Sequence, residues 1–177
     1  MLKVASFDIV FQEIPGEVTL ALNLSGCPCH CKGCHSPHLW EDIGEPLTTE
    51  LLGGLLDRYG SQITCVCFMG GDQAPEEVLR LAEYVRHSST HPSPLHAAWY
   101  SGRPFLPECL TAQRSNSAAV LQSNNLTGIV GPFDYIKLGP YIEALGGLKS
   151  EKTNQRLYKR VGNEWQDITS SFWRKSL

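Results

Sequence analysis

The sequence predicts an α/β fold in which a parallel sheet closes only part of a β/α barrel. Three observations carry that reading. Short apolar or alternating runs interleave with helical-period runs in the order strand, helix, strand, helix, strand, the rhythm of a parallel sheet with crossover helices. Glycine-bearing turns follow the strands directly, at the carboxyl ends where open α/β sheets place their sites. The chain has 177 residues, whereas a full eightfold barrel takes about 250. That length suffices for one domain with a real core, so residues 1–177 are read as a single domain.

Residues 2–11 are read as a first edge strand, followed by the turn signal Ile14-Pro15-Gly16. Val18, Leu20, Leu22 and Leu24 then alternate with Thr19, Ala21 and Asn23, a strand that runs straight into a loop at 25–46 rich in Gly, Pro, Cys and His. A loop of that length in a compact domain is usually functional. Thr48 is placed to cap a helix, with Leu47 and Leu52 as its hydrophobic staple. Leu51, Leu52, Leu55, Leu56 and Tyr59 share one face of it, although Gly53 and Gly54 each weaken a helix by about 1 kcal/mol relative to Ala. The apolar run 63–69 ends at Gly70-Gly71-Asp72, the pattern of a buried strand meeting a tight turn. Pro75 opens a second helix whose apolar face carries Val78, Leu79, Ala82 and Val85. A loop at 88–94 leads to a strand over 95–100 that ends at Ser101-Gly102. Residues 103–130 predict a short helix near 105–113 and a Ser/Asn-rich loop. A strand over 133–138 closes on Gly139-Pro140, a last strand spans 155–161, and Phe172 and Trp173 dock on the body.

Hydrophobic residues make up 42% of the chain and charged residues 19%, with a net charge of −3. This balance leaves no basic footprint for nucleic acid or an anionic membrane. No apolar run approaches the ~20 residues of a membrane span. Asp8 and Glu13 interrupt the N-terminal stretch before a signal-peptide core could form. The expected location is cytoplasmic. Thiols stay reduced there, so clustered cysteines read as metal ligands or catalysts rather than disulfides.

The cysteines are clustered. Four of the seven lie between Cys27 and Cys34, and three of the six histidines, His30, His35 and His38, lie among or just after them. Cys27, Cys31 and Cys34 read CxxxCxxC. Three thiolates from one loop can bind three irons of a four-iron cluster that normally takes four cysteines, leaving one iron without a protein ligand. An open coordination position separates a catalytic metal site from a structural one. Gly26, Pro28, Gly33 and Pro37 let the loop wrap closely around a bulky group.

CxxxCxxC after a first strand, with a Gly-Gly-acidic turn after the next, resembles the radical S-adenosylmethionine enzymes. The stretches CKGCHSPHLW, FMGGDQ, WYSG, LGPY at 138–141 and Asn154-Gln155-Arg156 resemble those of the activating enzymes of anaerobic ribonucleotide reductases. The resemblance spans residues 18–161, in matching order. It implies a partial, open barrel of the radical S-adenosylmethionine type, with a [4Fe-4S] cluster on Cys27, Cys31 and Cys34. It also implies S-adenosylmethionine chelated at the unique iron. A low-potential donor such as flavodoxin or ferredoxin would deliver an electron, the cofactor would split into methionine and a 5′-deoxyadenosyl radical, and a glycine of the reductase would lose a hydrogen atom. In this comparison Gly70, Gly71 and Asp72 hold the methionine moiety, the carboxylate accepting hydrogen bonds from its ammonium group. Gly33 and His35 fall near the adenine, and Ser101 near the ribose or carboxylate. Many relatives carry Glu where Asp72 stands and Pro where Gln73 stands, so the reach here is shorter. An open side of the barrel would admit a glycine-bearing loop of a large protein.

Plainer readings stand beside this one. Another small radical enzyme could act on a different glycyl-radical partner or on a purine-like molecule. Alternatively Cys31 and Cys34 with Cys65 and Cys67 could hold structural zinc in an interaction module, although Cys65 and Cys67 sit in a strand-like run where cysteine is a common core residue. Cys29 is expected to turn away from the cluster, and Cys109 to be structural. His30, His38, His87, His91 and His96 are assigned no role, and Trp99 and Tyr100 are assigned to packing. Asn154, Gln155 and Arg156 either face a partner or tie down the last strand.

Overall fold

The computed structural model describes residues 1–88, 94–106 and 131–173. Beyond Leu106, the helix and loop expected up to residue 130 lie outside them, as do His91 and Cys109. In chain order the elements are β1 (Lys3–Val10), β2 (Thr19–Leu24), β3 (Glu45–Pro46), α1 (Thr49–Tyr59), β4 (Cys65–Met69), α2 (Pro75–His87), β5 (His96–Tyr100), β6 (Tyr135–Leu138), β7 (Arg156–Val161) and β8 (Glu164–Asp167).

All eight strands join one open sheet in the order β3-β1-β2-β4-β5-β6-β7-β8. The four central strands, β2, β4, β5 and β6, are parallel, which agrees with the expected crossover rhythm. The flanks are antiparallel: β1 and β3 on one side, β7 and β8 on the other. The sheet is therefore mixed, not wholly parallel, and among the described residues it closes no barrel.

Two differences from the sequence reading have simple causes. The 2–11 strand is not the edge, because the end of the cysteine loop returns as the two-residue β3 and pairs with Lys3 and Val4. After β7 the chain turns at Gly162-Asn163 into β8, whose sequence Glu-Trp-Gln-Asp is short and polar and carries no strand period.

Alternation sorts side chains onto two faces. On one face Leu20, Leu22 and Leu24 of β2, Val66 and Phe68 of β4, Ala97 and Trp99 of β5 and Ile136 of β6 meet Leu52, Leu55 and Leu56 of α1 and Val78, Leu81, Ala82 and Val85 of α2. Leu81 belongs to this buried stripe where the periodicity had put Leu79, which packs at its margin. On the other face Cys65, Cys67, Ala98, Tyr135 and Leu157 form a smaller core with Ile14, bordered by Leu148, Ile168 and Phe172. The C-terminal segment docks as expected, with the Trp173 indole donating to the Leu148 carbonyl at 3.0 Å.

Helix α1 starts where the capping chemistry requires. Thr48 Oγ1 accepts from the Leu51 amide at 3.2 Å, and Leu47 and Leu52 lie in the same core cluster. Thr48→Ala is expected to cost about 1 kcal/mol, seen as a lower urea midpoint with an unchanged m-value. No described helix is long and apolar enough to cross a membrane.

Candidate metal centre

At the carboxyl ends of the parallel strands, the pairing aligns Asn23, Met69, Tyr100 and Lys137 in one row across the sheet. The segments that follow these strands are the cysteine loop, Gly70-Gly71-Asp72, Ser101-Gly102 and Gly139-Pro140. They converge on one rim, as strand order and turn position predicted.

The second of these turns is rigidly built. Gly70 and Gly71 have φ of +103° and +86°, a region that side chains rarely adopt. A Cβ on Gly71 would come within 2.6 Å of Val78 Cγ2. The buried Trp99 indole donates to the Gly70 carbonyl at 2.7 Å, and the Gly70 amide donates to the Tyr100 carbonyl. The glycines are thus required by the turn's own geometry, and Trp99, read from sequence as packing, also fastens it. What the turn presents is Asp72.

Asp72 is only 1% exposed. Its Oδ1 accepts from Ser101 Oγ at 2.5 Å and its Oδ2 from the Gly102 amide at 2.9 Å. Arg103 donates from its guanidinium to the Asp72 carbonyl, and its amide donates to Ser101 Oγ. A buried carboxylate must be paired or strongly hydrogen-bonded. Here the β5 turn meets that need, so Asp72 and Ser101 form one unit.

Cys29 departs from expectation. Its side chain does not turn away: Sγ lies 3.9 Å from Asp72 Oδ2, and a Cβ at Gly102 would stand 2.6 Å from it. Burial, then the charges of Asp72 and Cys27, push its thiol up to about 12. Cys27, Cys29 and Asp72 present ligand atoms that all fall within 4.8 Å of one another. Cys27, Cys31 and Cys34 are all half-buried on the same loop. Their backbone is held by Cys27 N–H to the Leu39 carbonyl, Gly26 N–H to the Glu41 carbonyl and Cys34 N–H to the Cys31 carbonyl. His30, between Cys29 and Cys31, takes φ of +43°, alone among the described non-glycine residues.

Gly33 and His35 lie against the segment that follows β6. A Cβ on Gly33 would stand 3.1 Å from Glu143 Cδ, and the His35 ring lies 5.0 Å from that of Tyr141. Asn154 donates to the Pro140 carbonyl, Gln155 to the Gly139 carbonyl, and Arg156 to the carbonyls of Thr153 and Gln155. Asn154 and Gln155 thus tie Gly139 and Pro140 to the start of β7, while Arg156 closes back onto its own segment. Cys65 and Cys67 are fully buried within β4, where burial pushes both thiols up. They act as core residues and offer no zinc half-site to the loop.

Lys137 is a functional candidate missed in the sequence. It is buried on β6 and donates to the carbonyls of Gly139 and Ser101 at 2.6 and 3.2 Å. Burial pulls its ammonium down to about 8, while Asp72, Cys31, Cys29 and Cys27 act in the opposite direction. Its signal was a lone lysine inside an apolar strand, since a buried lysine needs a local reason.

The donor set fits a cluster. Three thiols lie half-buried on one backbone-pinned loop, and the Ser36 amide points at Cys34 Sγ at 3.4 Å. Hydrogen bonds to sulfur and nearby charge are among the groups that set iron–sulfur potentials. The loop supplies thiol donors of the kind that hold iron–sulfur clusters. A family model described as a 4Fe-4S single cluster domain matches residues 15–134, and the chain belongs to that family. No curated protein and no solved structure is a match.

Proposed function

We propose that the chain is a radical S-adenosylmethionine activase that installs a glycyl radical on an anaerobic ribonucleotide reductase. The observation that carries this reading is the approach of the cysteine loop, through Cys27 and Cys29, to the buried Asp72 at the carboxyl end of a parallel sheet whose strand β6 carries the buried Lys137. The 4Fe-4S domain family is one also seen in radical S-adenosylmethionine activases. The reading includes an electron from a flavodoxin or ferredoxin in a cytoplasmic setting.

Cys27, Cys31 and Cys34 would hold the cluster. When bound, it would supply the single electron that splits S-adenosylmethionine and so generates the radical that abstracts hydrogen from the partner's glycine. The chain's own residues bind and orient. Asp72 is fixed by Ser101 and Gly102 and keeps lone pairs free for an ammonium group. Lys137 offers an ammonium to a carboxylate, so the pair matches the two charges of an amino-acid moiety. The backbone at Gly70 and Gly71 lets such a moiety approach closely. Gly33 and His35, beside Tyr141 and Glu143, would line the adenine end.

The test is anaerobic reconstitution with iron and sulfide, reduction, and mixing with S-adenosylmethionine and the reductase. A glycyl-radical doublet on the reductase by electron paramagnetic resonance is the expected result. Cofactor cleavage without that doublet, together with turnover of a small purine-like molecule, would move the chain to another branch of radical enzymes. A colourless protein holding one zinc would sink the catalytic reading altogether.

A further inference from the structure

The trio of Cys27, Cys29 and Asp72 shares only Cys27 with the cluster's predicted ligands. Its three ligand atoms lie within 4.8 Å of one another. Two thiolates bound to one tetrahedral ion at about 2.3 Å stand roughly 4 Å apart, so a small inward movement closes the trio on a single ion. Ligands of a cubane each hold a different iron and must stand farther apart. The trio therefore has the spacing of a mononuclear site.

Its surroundings suit one. Ser101 Oγ and the Gly102 amide aim the Asp72 carboxylate, the kind of outer support that orients metal ligands. Each oxygen keeps a lone pair for an ion. Gly102 has no side chain where Cys29 Sγ lies, and a Cβ there would stand 2.6 Å from it. Charge also closes: two thiolates and one carboxylate are balanced by a divalent ion together with the buried ammonium of Lys137.

We infer that Cys27, Cys29 and Asp72 form a binding site for one thiophilic divalent cation, ferrous iron or zinc, when no cluster is in place. Two sulfurs and one oxygen favour such borderline ions over magnesium or calcium. A fourth position stays open to water. Because Cys27 is needed by both, the single ion and the cluster exclude each other. Ferrous iron there would be a first ion held ready for cluster assembly, and zinc would block it. The site stands whether or not the chain cleaves S-adenosylmethionine.

The probe is Co²⁺, titrated anaerobically into the cluster-free, full-length chain. One equivalent should bind with tetrahedral visible bands and a near-ultraviolet charge-transfer intensity of two thiolates, and Zn²⁺ should displace it. Cys29→Ser should weaken Co²⁺ binding at least tenfold. Gly102→Ala should do the same without altering a ligand, by pushing Cys29 Sγ aside, and an unchanged far-ultraviolet circular dichroism spectrum in both variants separates this loss from a folding defect. Double replacement of Cys31 and Cys34 by Ala should leave the two-thiolate band in place. Absence of the band in the parent chain would overturn the proposal. So would a band that survives Cys29→Ser but vanishes with Cys31 and Cys34, which would identify an ordinary CxxC site.

Discussion

Replacing Cys27, Cys31 or Cys34 with alanine is expected to remove the iron–sulfur chromophore and, with it, the proposed reductive cleavage of S-adenosylmethionine. Each loss should be complete, because the cluster is proposed to rest on three protein thiolates and has none to spare. Anaerobic reconstitution followed by iron and sulfide analysis, visible absorption and a methionine-release assay would read it. The internal control is Cys65→Ala. That thiol is fully buried in β4, on the smaller core with Ala98 and Tyr135. Its truncation should cost about 1 kcal/mol of stability through lost packing and leave iron content unchanged. Equal loss of iron in Cys65→Ala would return the zinc half-site to consideration. Retention of a full cluster in Cys31→Ala would show that another residue ligates, with Cys29 the first to test.

That contrast also shows what could be read without coordinates. The division between loop and core cysteines was legible, because Cys65 and Cys67 stand at alternate positions of an apolar run and the others lie in a Gly- and Pro-rich loop. The central strands and both helices were legible for the same reason: their burial follows one clear period. β3 and β8 were not, since a two-residue bridge and a polar hairpin arm have no period to detect. The position of Cys29 was not legible either. Its CxxxCxxC neighbours make it an outsider by spacing, and only the pairing of Met69 with Tyr100 brings the turns after β4 and β5 together around it. Lys137 is intermediate. Its place in an apolar strand was visible, but its partners are carbonyls of residues 101 and 139, one of them 36 positions away.

Asp72→Asn is expected to separate cofactor binding from cluster assembly. The substitution preserves volume and removes the charge. A charge-assisted hydrogen bond contributes about 1.5–3 kcal/mol, so losing the one proposed for the ammonium of S-adenosylmethionine should weaken its binding by roughly 10- to 100-fold. Iron and sulfide content should remain near parent levels, since Asp72 is not among the three proposed cluster ligands. A stability cost is expected as well. Oδ2 accepts from the Gly102 amide and Oδ1 from Ser101 Oγ, and the amide nitrogen of Asn cannot accept, so one donor loses its partner at about 1–3 kcal/mol. The melting temperature should therefore fall along with the affinity. Ser101→Ala isolates the two effects: it removes one support of the carboxylate but keeps the charge, and should lower affinity less than Asp72→Asn does. Equilibrium dialysis of S-adenosylmethionine against the reconstituted variants would decide. Unchanged affinity in Asp72→Asn would remove Asp72 from the cofactor site and leave it as the brace between the turns after β4 and β5.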